Sequence, residues 1–366
     1  MINSPASQEQ IRQAAELLPA WFSVHRRILP WREDPTPYHV WISEIMLQQT
    51  RVEAVIPYYL RFIGELPDLA ALASCEEDRL LKLWEGLGYY SRARNLKKAA
   101  GQILEDFHGR IPDRREDLLR LAGIGSYTAG AIASIAYGRP EPAVDGNVIR
   151  VILRLLGEEA DPKDAKVRKE IEEVLRISMP REGCSAFNQS LFEIGALLCI
   201  PNGSPRCVEC PLSSCCRAGK EARTEQIPKR VPKAVRRQEA YTVLLIRDPD
   251  HILLIRRPPQ GLLASLYAFP MLSGHVSQEE AWQACLAYGI EPLRLRSLPG
   301  ARHIFTHIEW QMTGYEIETR ALPETFPGLS SAHRASLADL QDQYAIPSAY
   351  AAFLRCLFKE ITEKAF

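Results

Sequence analysis

Five cysteines stand between residues 199 and 216: Cys199, Cys207, Cys210, Cys215 and Cys216. Four others are scattered at 75, 184, 285 and 356, so the total of nine is odd. An odd total with this clustering argues against a disulfide framework and for a metal site in a reducing compartment. Four thiolates on a short loop suit tetrahedral zinc or an iron–sulphur cubane. A zinc knuckle pairs two short Cys-x-x-Cys units, whereas here only Cys207 and Cys210 form one. The outer cysteines sit at long, unequal spacings, which favours a [4Fe-4S] cluster on Cys199, Cys207, Cys210 and Cys216. Cys215 abuts Cys216 and is able to take its place, and buried unligated thiols are the bland alternative.

The loop divides a chain of 366 residues, 46% of them hydrophobic, long enough for two domains with cores of their own. Before it, apolar residues recur at helical spacing, as in Leu69, Leu72, Leu80, Leu83 and Leu87. Pro and Gly clusters punctuate the run at Pro35–Pro37, Gly86–Gly88, Gly123–Gly125 and Gly138–Pro140. The basic, Pro-bearing stretch Ile227–Lys233 reads as a linker. Beyond it, Tyr241–Ile246 and His251–Ile255 read as a strand pair across the turn Asp248-Pro249-Asp250. Gln278–Tyr288 reads as helix and Ile304–Tyr315 as further strand. The expected partition is a mainly α domain over 1–220, a basic linker over 221–238 and an α+β domain over 239–366. No run of 18 apolar residues suggests a membrane span, and the N-terminus has no secretory pattern, so a cytoplasmic chain is expected.

Lys plus Arg equals Asp plus Glu at 45 each, so net charge by itself says nothing of a nucleic-acid partner. The distribution is uneven: residues 217–237 hold eight Lys or Arg against Glu221 and Glu225. A solvated linker is the bland reading. A sharper signal is Leu121-Ala122-Gly123-Ile124-Gly125-Ser126-Tyr127, between two expected helices. Gly123 and Gly125 allow a tight turn that presents backbone N–H groups at a helix start, a ready site for a DNA phosphate. A plain helix connection is the alternative.

Two carboxylates stand in contrasting settings. Glu44 lies inside an apolar helix expected over Tyr38–Thr50, with Val40, Trp41 and Leu47 as helical neighbours. Desolvation raises a carboxyl pKa, as a general acid near neutral pH requires. A structural Glu paired with Arg26, Arg27 or Arg32 is the alternative. Asp145 precedes the helical spacing Val148, Val151, Ile152, Leu155 and reads as an N-cap, where a charge is easily kept. One proton-holding and one ionised carboxyl is the arrangement expected for cleaving a bond to a sugar through a cationic transition state.

These elements together resemble the helix–hairpin–helix DNA glycosylases of the endonuclease III-like superfamily, specifically the MutY adenine glycosylase family. The matching segments are Leu29-Pro30-Trp31-Arg32, Ser43–Thr50, Gly86–Tyr90, the glycine hairpin, Val144-Asp145-Gly146-Asn147-Val148, Phe187-Asn188-Gln189, the cysteine loop, Gly261–Pro270, Phe305-Thr306-His307 and Ile346–Tyr350. The likeness spans nearly the whole chain in one order. It implies a helix–hairpin–helix domain with a [4Fe-4S] loop, followed by a Nudix-like lesion-recognition domain. The implied reaction is hydrolysis of the bond to adenine mispaired with 8-oxoguanine or guanine in double-stranded DNA, by a monomeric base excision repair enzyme.

The resemblance also implies roles. Glu44 protonates adenine N7, and Asp145 stabilises the sugar cation, assisted by Asn147 and Tyr127. Trp31, Arg32 and Glu193 line the adenine pocket, while Leu47, Gln49 and Tyr89 enter the duplex around an extruded nucleotide. Phe305, Thr306 and His307 form the lesion-contacting loop. Tyr127 stands where related lyases have a Lys, and a phenol forms no Schiff base, so little strand cleavage is expected. In the C-terminal domain Glu279 and Glu280 are adjacent and not at helical ligand spacing, so recognition and not hydrolysis is expected of it. The sequence departs from the family pattern in having seven residues between Cys199 and Cys207, Thr306 where Ser is usual, and Ala122 where Pro is common. The other readings are a bifunctional glycosylase/lyase for oxidised pyrimidines and an iron–sulphur DNA-binding module without chemistry.

Overall fold

The computed structural model describes residues 2–230, 235–329 and 331–364. Val231, Pro232, Lys233 and Ala234 of the expected linker lie outside the described residues. Two compact units result: Met1–Cys75 with Asn95–Pro232, and Glu76–Arg94 with Lys233–Phe366. The second unit therefore takes in residues 76–94, which the linear partition assigned to the helical domain.

The first unit is helical. Its central helix, Gly146–Leu156, buries every residue from Val148 to Leu156. The sequence suggested an apolar stripe on this helix; Arg150 and Arg154 are buried as well, because backbone carbonyls receive their guanidinium groups. Helices Pro5–His25, Ala165–Ser178 and Cys184–Glu193 pack around it through Ile11, Leu18, Ile171, Phe187 and Leu191. The helix carrying Glu44 runs Pro37–Met46, shorter than expected. Residues 47–50 form a turn with Gln49 at φ 62°. Close approach fixes one glycine: a Cβ on Gly130 would lie 2.1 Å from the Pro142 carbonyl oxygen.

The second unit is built on a mixed seven-stranded sheet of β1 (Arg237–Arg247), β2 (His251–Arg256), β3 (Tyr267–Ala268), β4 (Met271–Ser273), β5 (Arg294–Ile304), β6 (Ile308–Glu318) and β7 (Ala332–Ser336). The main order is β3-β2-β1-β6-β5, with β4 on β1 and β7 on β2. Among the described residues, only β1 and β6 pair in parallel, in the register Val243↔Gly314. Alternation along β1 sends Val243 and Leu245 to one core and Leu244 and Ile246 to the other. Helix Gln278–Ala287 closes the second face through Ala281 and Cys285. Phe353 of helix Ala351–Lys364 closes the first, over Gly314, where a Cβ would meet its ring at 2.5 Å. The strand expected over Ile304–Tyr315 is two: Phe305, Thr306 and His307 are the turn between β5 and β6. No helix among the described residues is long and apolar enough to cross a membrane.

Candidate active site

A cavity of about 150 Å³ in the first unit is lined by Trp31, Arg32, Glu44, Leu47, Tyr127, Asp145, Asn147 and Glu193, so eight residues singled out in the sequence share one space. Glu44 reaches it from the last turn of an apolar helix and is 5% exposed. Burial pushes its carboxyl up from 4.5 to about 7, Asp145 adds to the rise, and the Tyr127 hydroxyl and the Arg32 charge oppose it. The Tyr127 hydroxyl donates to Glu44 Oε2. Burial and the two nearby carboxyls raise the phenol well above its ordinary value, so Tyr127 enters the site as a neutral donor.

Asp145 caps the central helix: Oδ1 accepts from the Val148 amide at 2.8 Å. Its Oδ2 accepts from Asn147 Nδ2 at 3.0 Å. Asn147 Oδ1 in turn accepts from Arg150 Nη2 at 3.0 Å, and Arg150 Nε donates to the Cys199 carbonyl at 2.8 Å. Capping thus uses one oxygen of Asp145, and the other, held by Asn147, belongs to a residue that lines the cavity.

The arginines do not neutralise Glu44 as the structural alternative required. They bind Glu193, which is fully buried: Arg27 donates through Nε at 2.8 Å and Nη2 at 3.1 Å, and Arg32 through Nη2 at 2.8 Å. Arg32 Nε also donates to Gln189 Oε1 at 2.9 Å. Both guanidinium groups thus spend their hydrogen bonds on Glu193 and not on Glu44. Sequence reasoning considered Arg27 only as a structural partner of Glu44 and assigned no role to Gln189 or Arg150. Gln189 was legible only as part of a motif, and the arginines had no local signal that distinguished them from surface cations.

Gly123, at φ 74°, and Gly125 are exposed between helices Arg115–Leu118 and Ser126–Ala131. Asn95 lies under Gly123, where a Cβ would come within 2.6 Å. Arg115 Nη2 donates to Ser126 Oγ at 2.8 Å and ties the two helices. Gln49 is exposed and shares with Tyr89 a positive φ, 62° and 47°, uncommon outside glycine and a frequent mark of functional turns.

A second space, about 340 Å³, is lined by Cys199, Cys207, Cys210 and Cys216. Cys215 is not among its walls and packs against the apolar core. The additional residue before Cys207 leaves Cys199 in the set. Arg154 Nη1 donates to Cys199 Sγ at 3.3 Å. Burial pushes the Cys210 thiol up to about 12, with the neighbouring thiols adding to the rise, so several thiolates persist together there only with a compensating cation. Among the described residues, no three His, Cys, Asp or Glu converge on one ion.

In the second unit, a cavity of about 440 Å³ is lined by Tyr89, Phe305, Thr306 and His307, with Leu262 and Ser348 among the facing residues. Tyr89 is 48% exposed, and its hydroxyl lies 2.8 Å from Thr306 Oγ1. Phe305 is an anchor: its ring packs edge-on to Trp310 at 4.9 Å and to His303 at 4.5 Å, while Thr306 and His307 are exposed. Arg92 holds the turn below Tyr89 by donating to the carbonyls of Leu87 and Gly88. Glu280 is used as a helix cap, bonding the Ser277 amide at 2.7 Å in a capping box.

Residues 42–176 match the HhH-GPD superfamily of base excision DNA repair proteins, and residues 242–356 match the NUDIX domain. Human adenine DNA glycosylase is 32% identical over 392 residues, covering 88% of this chain and 72% of that protein. The enzyme of the same description from Buchnera aphidicola (Acyrthosiphon pisum) is 36% identical, covering 73% of this chain and 75% of its own. The chain belongs to the adenine DNA glycosylase (MutY) family. Among solved structures, a non-covalent endonuclease III–DNA complex superposes with a TM-score of 0.51 at 27% identity, covering 59% of this chain and 97% of that one. As a member of this family the chain is a DNA glycosylase, a hydrolase of base excision repair acting on adenine.

Proposed function

We propose that the enzyme removes adenine paired with 8-oxoguanine, or with guanine, from duplex DNA by hydrolysing the N-glycosidic bond, without cutting the strand. The observation that carries this reading is the pairing in one cavity of a buried carboxyl poised near neutrality with a second carboxylate held by two N–H donors. Adenine is extruded into the cavity, because the bond is out of reach in a stacked helix. Glu44 gives its proton to N7, so the bonding pair leaves with the base as a neutral purine. Asp145 faces the positive charge left on the sugar, and water adds to the sugar carbon, giving its proton to the Glu44 carboxylate and so restoring the acid. Tyr127 and Asn147 position the two carboxyls. Trp31 and the Arg32–Glu193 pair recognise the base, and Gly123 and Gly125 bind a phosphate. Leu47, Gln49 and Tyr89 fill the duplex, and Phe305, Thr306 and His307 address the opposite purine.

Cys199, Cys207, Cys210 and Cys216 would hold a [4Fe-4S] cluster. What supports it over zinc is the spacing: only Cys207 and Cys210 form a Cys-x-x-Cys unit, and Cys199 and Cys216 stand at long, unequal distances from it in sequence. Bound there, the cluster would cross-link the 199–216 loop and supply one-electron redox chemistry, while Arg154 of the central helix holds the loop through Cys199 Sγ and the Ile200 carbonyl.

The test is a duplex with a single adenine·8-oxoguanine pair, treated with alkali after incubation. Scission that needs alkali is expected; scission without alkali marks a lyase, and binding without scission removes the chemistry altogether. Glu44→Gln is expected to bind and not excise. Iron analysis of the same preparation should show iron lost in Cys216→Ser and kept in Cys215→Ser; the reverse would reassign the fourth ligand.

A further inference from the structure

Residues 76–94 do two things in the second unit. Tyr89 forms part of one wall of the 440 Å³ cavity, and residues 347–349 form part of another. Glu85, four positions before Tyr89 and not itself a lining residue, accepts the Ile346 amide on Oε1 at 2.7 Å. Its other oxygen receives Lys82 Nζ at 2.6 Å, and that ammonium also donates to the Tyr344 carbonyl at 3.0 Å. Both side chains are largely withdrawn from solvent, at 13% and 28% exposure for Lys82 and Glu85. Asp78, one turn earlier, binds Arg256 at 2.7 Å and the Tyr267 hydroxyl at 3.0 Å.

Ion pairs at three-residue spacing are ordinarily worth little. This one differs because each partner also spends a bond on the backbone that leads directly into Pro347 and Ser348. We infer that Glu85, with Lys82, is a positioning residue for selectivity: through the Ile346 amide it fixes the 347–349 wall of the cavity relative to Tyr89 and so sets how well the base opposite adenine is discriminated. The inference rests on the reading that this cavity addresses that base. Adenine·8-oxoguanine and adenine·guanine pairs offer the same adenine to Glu44 and differ only in the opposite purine. A residue acting through this wall alone should alter one rate and spare the other. Loss of the carboxylate leaves the Ile346 amide unpaired, whereas a glutamine keeps an acceptor oxygen in place.

The experiment measures single-turnover excision by the full chain on both duplexes for wild type, Glu85→Ala and Glu85→Gln. Glu85→Ala is expected to lower the ratio of the two rates roughly tenfold, with the adenine·guanine rate within about twofold of wild type, and Glu85→Gln to restore most of the ratio. An unchanged ratio in Glu85→Ala, or an equal fall in both rates, overturns the inference. A wild type that does not distinguish the two duplexes overturns the reading beneath it instead, and the two failures are told apart by the wild-type ratio alone.

Discussion

Glu44 is held at a cost to stability. Its carboxyl is moved from 4.5 to about 7 in the fold. Between those values the unfolded chain has released the proton and the folded chain retains it, so stability falls as pH rises through this window and levels off above about 7. The penalty is on the order of 3 kcal/mol for so buried a group. Glu44→Gln is therefore expected to raise the unfolding temperature more at pH 8 than at pH 5; an equal change at both would show that Glu44 does not hold a proton in the fold. The same group gives excision an alkaline limb, because the acid is lost as pH rises through about 7. The Tyr127 bond favours the carboxylate, so Tyr127→Phe should move that limb to higher pH in single-turnover rates, whatever its effect on the plateau. A limb that stays put or moves down would detach Tyr127 from the acid. Glu44's burial was readable from its apolar helical neighbours. That Arg27 and Arg32 hydrogen-bond Glu193 instead, more than 150 residues along the chain, was not.

At the scale of elements, the site depends on how the segment after Cys184–Glu193 seats against the first turn of the central helix. Gly195 lies where a Cβ would be 2.7 Å from the Asn147 Cβ, and its carbonyl accepts Arg150 Nη2 at 2.7 Å. Gly195→Ala must displace Asn147 or the helix. It should cost about 1–3 kcal/mol in urea unfolding and, by loosening Asn147 on Asp145, slow excision by more than the stability loss explains. Activity that simply tracks the folded fraction would argue against that coupling. The elements themselves were mostly legible: the helices from apolar spacing, β1 and β2 from their β-branched runs. Two boundaries were not. Tyr38–Thr50 loses its last turn to Gln49's left-handed backbone, and Ile304–Tyr315 breaks at a turn because Phe305 packs on Trp310 while Thr306 and His307 face solvent.

At the scale of the molecule, residues 76–94 fold with the sheet of the second unit. Asp78, Lys82 and Glu85 have partners there that a chain ending before residue 235 would lack. Hydrogen exchange should show the amides of 76–94 opening at least about tenfold faster in such a truncated chain than in the full one, with helix Gly146–Leu156 unchanged. Equal protection of 76–94 in both would mean that these bonds contribute nothing to its order.

The amino-acid sequence alone determined what is local: a thiolate loop, a glycine turn before a helix, a carboxyl inside an apolar helix and another at a helix start, and strands that alternate across a sheet. These follow from spacings of a few residues, over which backbone geometry is nearly fixed. The tertiary structure decided which charges meet. It gave Glu193 and not Glu44 the arginines, chose Cys216 over Cys215 for the cleft, and carried 76–94 to the other unit. Such choices turn on partners far apart in sequence, whose encounter depends on packing and desolvation that no local pattern encodes.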